Sequence, residues 1–180
     1  MPERPVVCNT SPLIKLAGVG LLNLLPQIYG TIWVPEIVRD EYLTGATAPT
    51  PDLTTFLWLV FHQVTIAPTL QALSGFGAGE AAAITLAEAS HARIILLDDK
   101  RARRVAHDRG LTVVGTLGVL VRAKQQGYLT TLRPVLTTMI AQGRYSRIAI
   151  IGKNPSLMRR LRIRSIRLLL HFVSFALKLL

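Results

Sequence analysis

The chain has 180 residues, half of them apolar and 17% charged, which excludes a disordered polymer and leaves room for one domain with a sizeable core. Its one cysteine, Cys8, excludes an internal disulfide framework and a cysteine-rich zinc site. The net charge of +11 is divided unevenly: residues 1–108 hold all ten carboxylates and eight Lys and Arg, while residues 109–180 hold the other thirteen Lys and Arg and no carboxylate.

In chain order, the start Met1-Pro2-Glu3-Arg4 lacks the long apolar run of a secretory signal, so the expected compartment is the cytoplasm. Pro5-Val6-Val7-Cys8 reads as a buried strand, with Cys8 as a small hydrophobe, bounded by Asn9-Thr10-Ser11-Pro12. Leu13, Leu16, Ala17, Leu21, Leu24 and Leu25 then recur at helical spacing. Thr31-Ile32-Trp33-Val34 reads as a second strand, and Pro35 as the first turn of a helix carrying Ile37, Val38 and Tyr42. Residues 44–52, rich in Thr, Ala and Pro, look like a linker, and residues 60–66 like a further strand. Gly79-Glu80 opens a helix over residues 81–89. Ile94 to Leu97 and Thr112 to Val114 are strands, and Leu117 to Val121 begins a helix with a cationic end. Continuous apolar strands alternating with helices predict a doubly wound parallel α/β domain.

In such sheets the site forms beyond the carboxyl ends of the strands. The polar residues expected there are Asn9, Thr10 and Ser11 after the first strand and Asp98 and Asp99 after the fourth. Glu41 and Glu80 stand on or at the start of neighbouring helices. Singly, each has a structural explanation: a helix cap, a partner for a helix dipole or a solvated acid. Together they aim hard oxygen donors at one edge, a set suited to Mg²⁺ or Mn²⁺. The four histidines show no ligand spacing, and the glycine-rich residues 75–79 lack the Lys-Ser/Thr of a phosphate loop.

Val7-Cys8-Asn9-Thr10-Ser11-Pro12-Leu13-Ile14 resembles the first-strand motif of PIN-domain proteins, and more narrowly of a prokaryotic PIN-like branch. Residues 79–87, residues 96–103 and Gly115-Thr116-Leu117-Gly118-Val119-Leu120 resemble the same branch, in order, over about residues 5–145. The resemblance implies a three-layer α/β/α sandwich with strand order 3-2-1-4-5. It also implies metal-dependent endoribonuclease chemistry, as in the VapC-like toxins of toxin–antitoxin pairs. It places Asn9, Glu41, Glu80 and Asp99, with Asp98 as neighbour, at the metal positions, with Glu41, Glu80 and Asp99 as the catalytic acids and Ser11 in support. The departure is Asn9, where the family usually has Asp: a neutral oxygen replaces an anionic one, so weaker cation affinity is expected. Lys100, Arg101, Arg103 and Arg104 would hold the RNA backbone, although Arg103 has the alternative of pairing with an acid inside the protein. Implied partners are RNA, a cognate antitoxin and a second copy of the chain. The other reading is a non-catalytic RNA- or partner-binding module whose acids are vestigial.

The domain is expected over residues 1–148, with an atypical tail over 149–180. There Arg160, Arg164, Arg167, His171, Ser174 and Lys178 would form one polar stripe on a helix with a broad apolar side. The apolar stretch is short for a membrane span. Membrane-surface association, partner binding and a translated frame error are the three readings of this tail.

Overall fold

The computed structural model describes residues 4–45, 50–71 and 77–145; the tail beyond Tyr145 lies outside them. The chain divides into two compact units, Met1–Thr131 and Leu132–Leu180.

In the first unit five short strands form one parallel sheet in the order β3-β2-β1-β4-β5: β1 (Val6–Cys8), β2 (Ile32–Pro35), β3 (Leu59–His62), β4 (Ile94–Leu96) and β5 (Val113–Val114). The helices are α1 (Thr10–Ala17), α2 (Leu24–Tyr29), α3 (Glu36–Gly45), α4 (Pro68–Gln71), α5 (Ala78–Ala89), α6 (Lys100–Asp108) and α7 (Thr116–Gln125), with a 3₁₀ turn at Leu53–Thr55. In the second unit α8 spans Arg133–Ala141, with a proline in its first turn, where the missing amide hydrogen costs nothing.

The central strand β1 is buried throughout and pairs with β2 through Val6–Ile32 and Val7–Trp33. On its other side Val6, Val7 and Cys8 pair with Ile94, Ile95 and Leu96. A strand with neighbours on both edges and helices on both faces has no exposed side, which is why Val6-Val7-Cys8 shows no polar alternation. Successive side chains still alternate. Val7, Ile95 and Leu97 join Ala83, Ile84 and Ala87 of α5 and Ala102 and Ala106 of α6 in one core cluster. Small alanines bring α5 close across β1, β2 and β4, and α1, α2 and α7 pack together on the other face. Burying each large core side chain contributes about 2 kcal/mol. Cys8 is fully buried, and burial first, then the nearby Asp98, pushes its thiol well above the ordinary range, as befits an inert hydrophobe.

Two expectations need correction. The Leu13–Leu25 periodicity belongs to two helices, because α1 stops at Ala17. Gly20 adopts φ +69°, and the bonds from Leu21 N to Leu16 O (2.9 Å) and from Gly20 N to Ala17 O (2.9 Å) close a Schellman turn. Gly110, at φ +76°, ends α6 in the same way. Pro35 is the last residue of β2 and pairs in register with His62. The helix begins one residue later, at Glu36.

Among the described residues no helix is long and apolar enough to cross a membrane.

Candidate metal and phosphodiester site

The carboxyl ends of β1 and β4, the N-terminus of α5 and one face of α3 bring the expected residues to one edge of the sheet. Asn9 leaves β1, its amide N–H bonded to Leu96 O (3.0 Å), and precedes α1 in an extended conformation. Its side chain is almost wholly buried. Nδ2 donates to Glu80 Oε1 at 3.5 Å, and Oδ1 lies 3.4 Å from Thr10 Oγ1. The residue that departs from the family pattern therefore gives Glu80 a hydrogen-bond donor, where an aspartate would give it a second negative charge.

Glu41 is held by both oxygens. Oε2 accepts from Thr10 Oγ1 at 2.6 Å, and Oε1 accepts from the backbone N–H of Gly79 at 2.8 Å. The second bond places a carboxylate on an unsatisfied donor of the first turn of α5, where the helix dipole favours negative charge. It also explains the glycine: a Cβ at residue 79 would collide with the Glu41 carboxylate. Glu80 follows in the same turn and is half-buried. Burial raises its carboxyl above the usual range, and the charges of Glu41 and Asp99 push the same way. Its own backbone N–H and the Asn9 amide oppose them without cancelling them. Three carboxylates from three elements thus share one field.

Asp98 and Asp99 are adjacent in sequence and unlike in setting. Asp99 is exposed and caps α6, Oδ1 accepting from Ala102 N at 2.8 Å. Asp98 is buried. Its Oδ1 accepts from Thr116 N at 2.9 Å, and its Oδ2 from Thr116 Oγ1 at 2.7 Å and from Lys15 Nζ at 2.8 Å. Burial alone would raise this carboxyl, but Lys15 and the two Thr116 donors outweigh it and hold it below the usual range. Arg103 turns toward the same place: a Cβ on Gly115 would lie 2.5 Å from Arg103 Nη1 and 2.9 Å from Asp98 Oδ1. Lys100, Arg101 and Arg104 are exposed on α6, the helix that Asp99 caps. Ser11 is half-buried in the first turn of α1.

The oxygen-only donor set suits a hard cation in its chemistry. In position the match is partial: among the described residues no three Asp, Glu, His or Cys side chains converge as they stand on one point. Glu41 and Asp98 turn both oxygens toward protein donors, while Glu80 receives the Asn9 amide and its own backbone N–H and Asp99 the N–H of Ala102.

Thr10 is expected at this edge, and Gly79 and Thr116 lie in the motifs that carry the resemblance, but the roles of these residues and of Lys15 as partners of Glu41 and Asp98 come only with the structure. Lys15 left the clearest trace, as the only cation between Arg4 and Arg39, set in an apolar helix.

No curated protein matches the chain. A family model described as PIN domain, DUF3368, matches residues 5–158. With that match, a parallel sheet in the order 3-2-1-4-5 and acids gathered at its carboxyl edge, the chain belongs to the DUF3368 family of PIN domains, a nuclease-type fold.

Proposed function

We propose that the acidic edge is a nuclease site that hydrolyses RNA phosphodiesters with a divalent cation, Mg²⁺ or Mn²⁺, held by Glu80, Asp99 and Glu41 beside Asn9. The observation that carries this reading is the state of Glu80. Burial first, and then the charges of Glu41 and Asp99, raise its proton affinity, an electrostatic cost that a cation would relieve. Bound there, the cation would supply Lewis acidity and neutralise charge at the phosphate. The rest is the work of the chain. Thr10 and the α5 N-terminus fix Glu41 in one orientation. Glu41, Glu80 and Asp99 would act mainly as ligands, and one of them, through water, would take the proton of the attacking nucleophile. Lys100, Arg101 and Arg104 line exposed positions beside Asp99, where they would hold the RNA backbone by its phosphates. A toxin role, with a cognate antitoxin covering the edge and pairing of two copies, extends this reading on the strength of the family resemblance.

One observation favours a second reading, a binding module with a resting acidic edge. The Asn9 amide already gives Glu80 a donor, and a cation is then needed less. RNA cleavage in Mn²⁺ separates the two. Cleavage by the native chain that is lost in EDTA and in Asp99→Ala supports the nuclease. The absence of Mn²⁺ binding even in Asn9→Asp would sink it.

A further inference from the structure

Lys15 stands on α1, a helix apolar enough that a charged residue in it calls for a reason. Its ammonium reaches 2.8 Å from Asp98 Oδ2, with side chains 20% and 5% exposed respectively. Thr116, itself fully buried at the start of α7, supplies both of its donors to the same carboxylate. Asp98 therefore joins three elements that are remote in sequence: α1, the end of β4 and the N-terminus of α7. The loop before α1 carries Asn9, and the residue after Asp98 is Asp99, so this one ion pair ties together two of the segments that bear the proposed cation site.

We propose that Lys15 is the acidic edge's own counter-cation, a positioning residue that holds Asp98 out of the cation set and lowers the negative charge the edge presents. Asn9 brings a neutral amide where an aspartate would bring a negative charge, and Lys15 cancels the charge of Asp98. Together they offset two charges, the charge of one divalent ion. The edge is left with Glu41, Glu80 and Asp99 as its anionic set, a weaker attractor than five free carboxylates would be. Arg103, whose guanidinium faces the Gly115 backbone near Asp98, adds positive charge on the same side. The inference rests on the cation reading above and deepens it, because it assigns the strength of that site to a residue that touches neither cation nor RNA.

The test is Mn²⁺ titration, read by the electron paramagnetic resonance signal of unbound Mn²⁺ and by thermal melts in EDTA and in Mn²⁺. The proteins compared are the native chain, Lys15→Met, Lys15→Arg and Asn9→Asp. Losing the positive charge that pairs with Asp98, the residue next to Asp99, is expected to tighten Mn²⁺ binding about tenfold in Lys15→Met. The melting temperature of that variant should then rise more with Mn²⁺ than that of the native chain. Lys15→Arg, which keeps the charge, should stay at the native affinity. A purely structural Lys15 would lower stability in Lys15→Met and leave its Mn²⁺ affinity where it was, or weaken it. That result, with binding gained in Asn9→Asp, overturns this inference alone. Absence of Mn²⁺ binding in all four proteins overturns the proposed function together with it. If Lys15→Met is too unstable to purify, Lys15→Gln, which keeps a donor for Asp98, carries the same comparison.

Discussion

Asp98 and Asp99 share a side chain, a loop and a sheet edge, yet the fold gives them opposite fates. The Asp98 side is closed: a buried carboxylate receives an ammonium, a hydroxyl and a backbone N–H, and its proton affinity falls. The Glu80 side is open: burial, and then the like charges of Glu41 and Asp99, raise the proton affinity of a half-buried acid. What separates them is the partner each neighbouring element delivers, a lysine and a threonine in one case and further acids in the other. Charge at a sheet edge is thus decided by the helices that end there, and the count of acids in a motif does not reveal it.

The most disruptive way to break this contrast is to remove the lysine. Lys15→Met takes the ammonium away from a buried carboxylate and is expected to cost about 3 kcal/mol in urea unfolding. Lys15→Met combined with Asp98→Asn should recover most of it, since the charge and its partner leave together. A single variant as stable as the native chain would mean that Asp98 is satisfied without the Lys15 ammonium. Next comes Gly79→Ala. The new methyl must displace the Glu41 carboxylate from the α5 N-terminus, at an expected cost of about 2 kcal/mol, measured in the same way; Ala83→Gly, on the same helix without that clash, is the control for propensity.

The pH dependence separates the two sides by sign. The folded state lowers the proton affinity of Asp98, so its contribution is present above the ordinary aspartate value, about 3.9, and is lost as the pH falls through the lower folded value. Melts between about pH 5 and pH 2 should therefore show a loss that Asp98→Asn combined with Lys15→Met lacks. Glu80 works the other way. Its raised folded value makes the ionised form a burden that sets in as the pH rises past the ordinary glutamate value, about 4.3, and is complete above the folded value. Glu80→Gln should raise the melting temperature at pH 7 by only about 2 °C, because the group is half-exposed and screened. That gain should vanish near pH 4. A neutral or destabilising Glu80→Gln at pH 7 would show that burial and the Glu41 and Asp99 charges do not burden its ionised form.

Much of the fold was legible in the sequence because it rests on local signals. Apolar runs marked β1, β2 and β4, and the order of motifs carried the strand order. Local reading failed where two signals competed. The leucine spacing ran past Gly18 and Gly20 as if one helix continued, although the glycine pair was itself the stop. Pro35 fits a helix start as well as a strand end, and only pairing with His62 decides between them. Asn9, Glu80 and Asp99 could be picked out because each begins or follows a recognisable element, and Glu41 because it stands on a helix that follows a strand. Their partners could not. Lys15 and Asp98 are 83 residues apart, Glu41 and Gly79 are 38 apart, and no periodicity encodes a contact across such a distance. The pairing of a lysine with one aspartate of a doublet, leaving its neighbour to cap a helix, is a property of packing.

The central claim is that the open side of this edge is a cation site centred on Glu80 and weakened by Asn9. It is tested most directly by calorimetric Mn²⁺ titration of Asn9→Asp, beside Asn9→Asp combined with Glu80→Gln. The account predicts that Asn9→Asp binds Mn²⁺ about tenfold more tightly than the native chain, and that adding Glu80→Gln abolishes the gain. Binding that does not improve in Asn9→Asp, or that persists undiminished without Glu80, would contradict it.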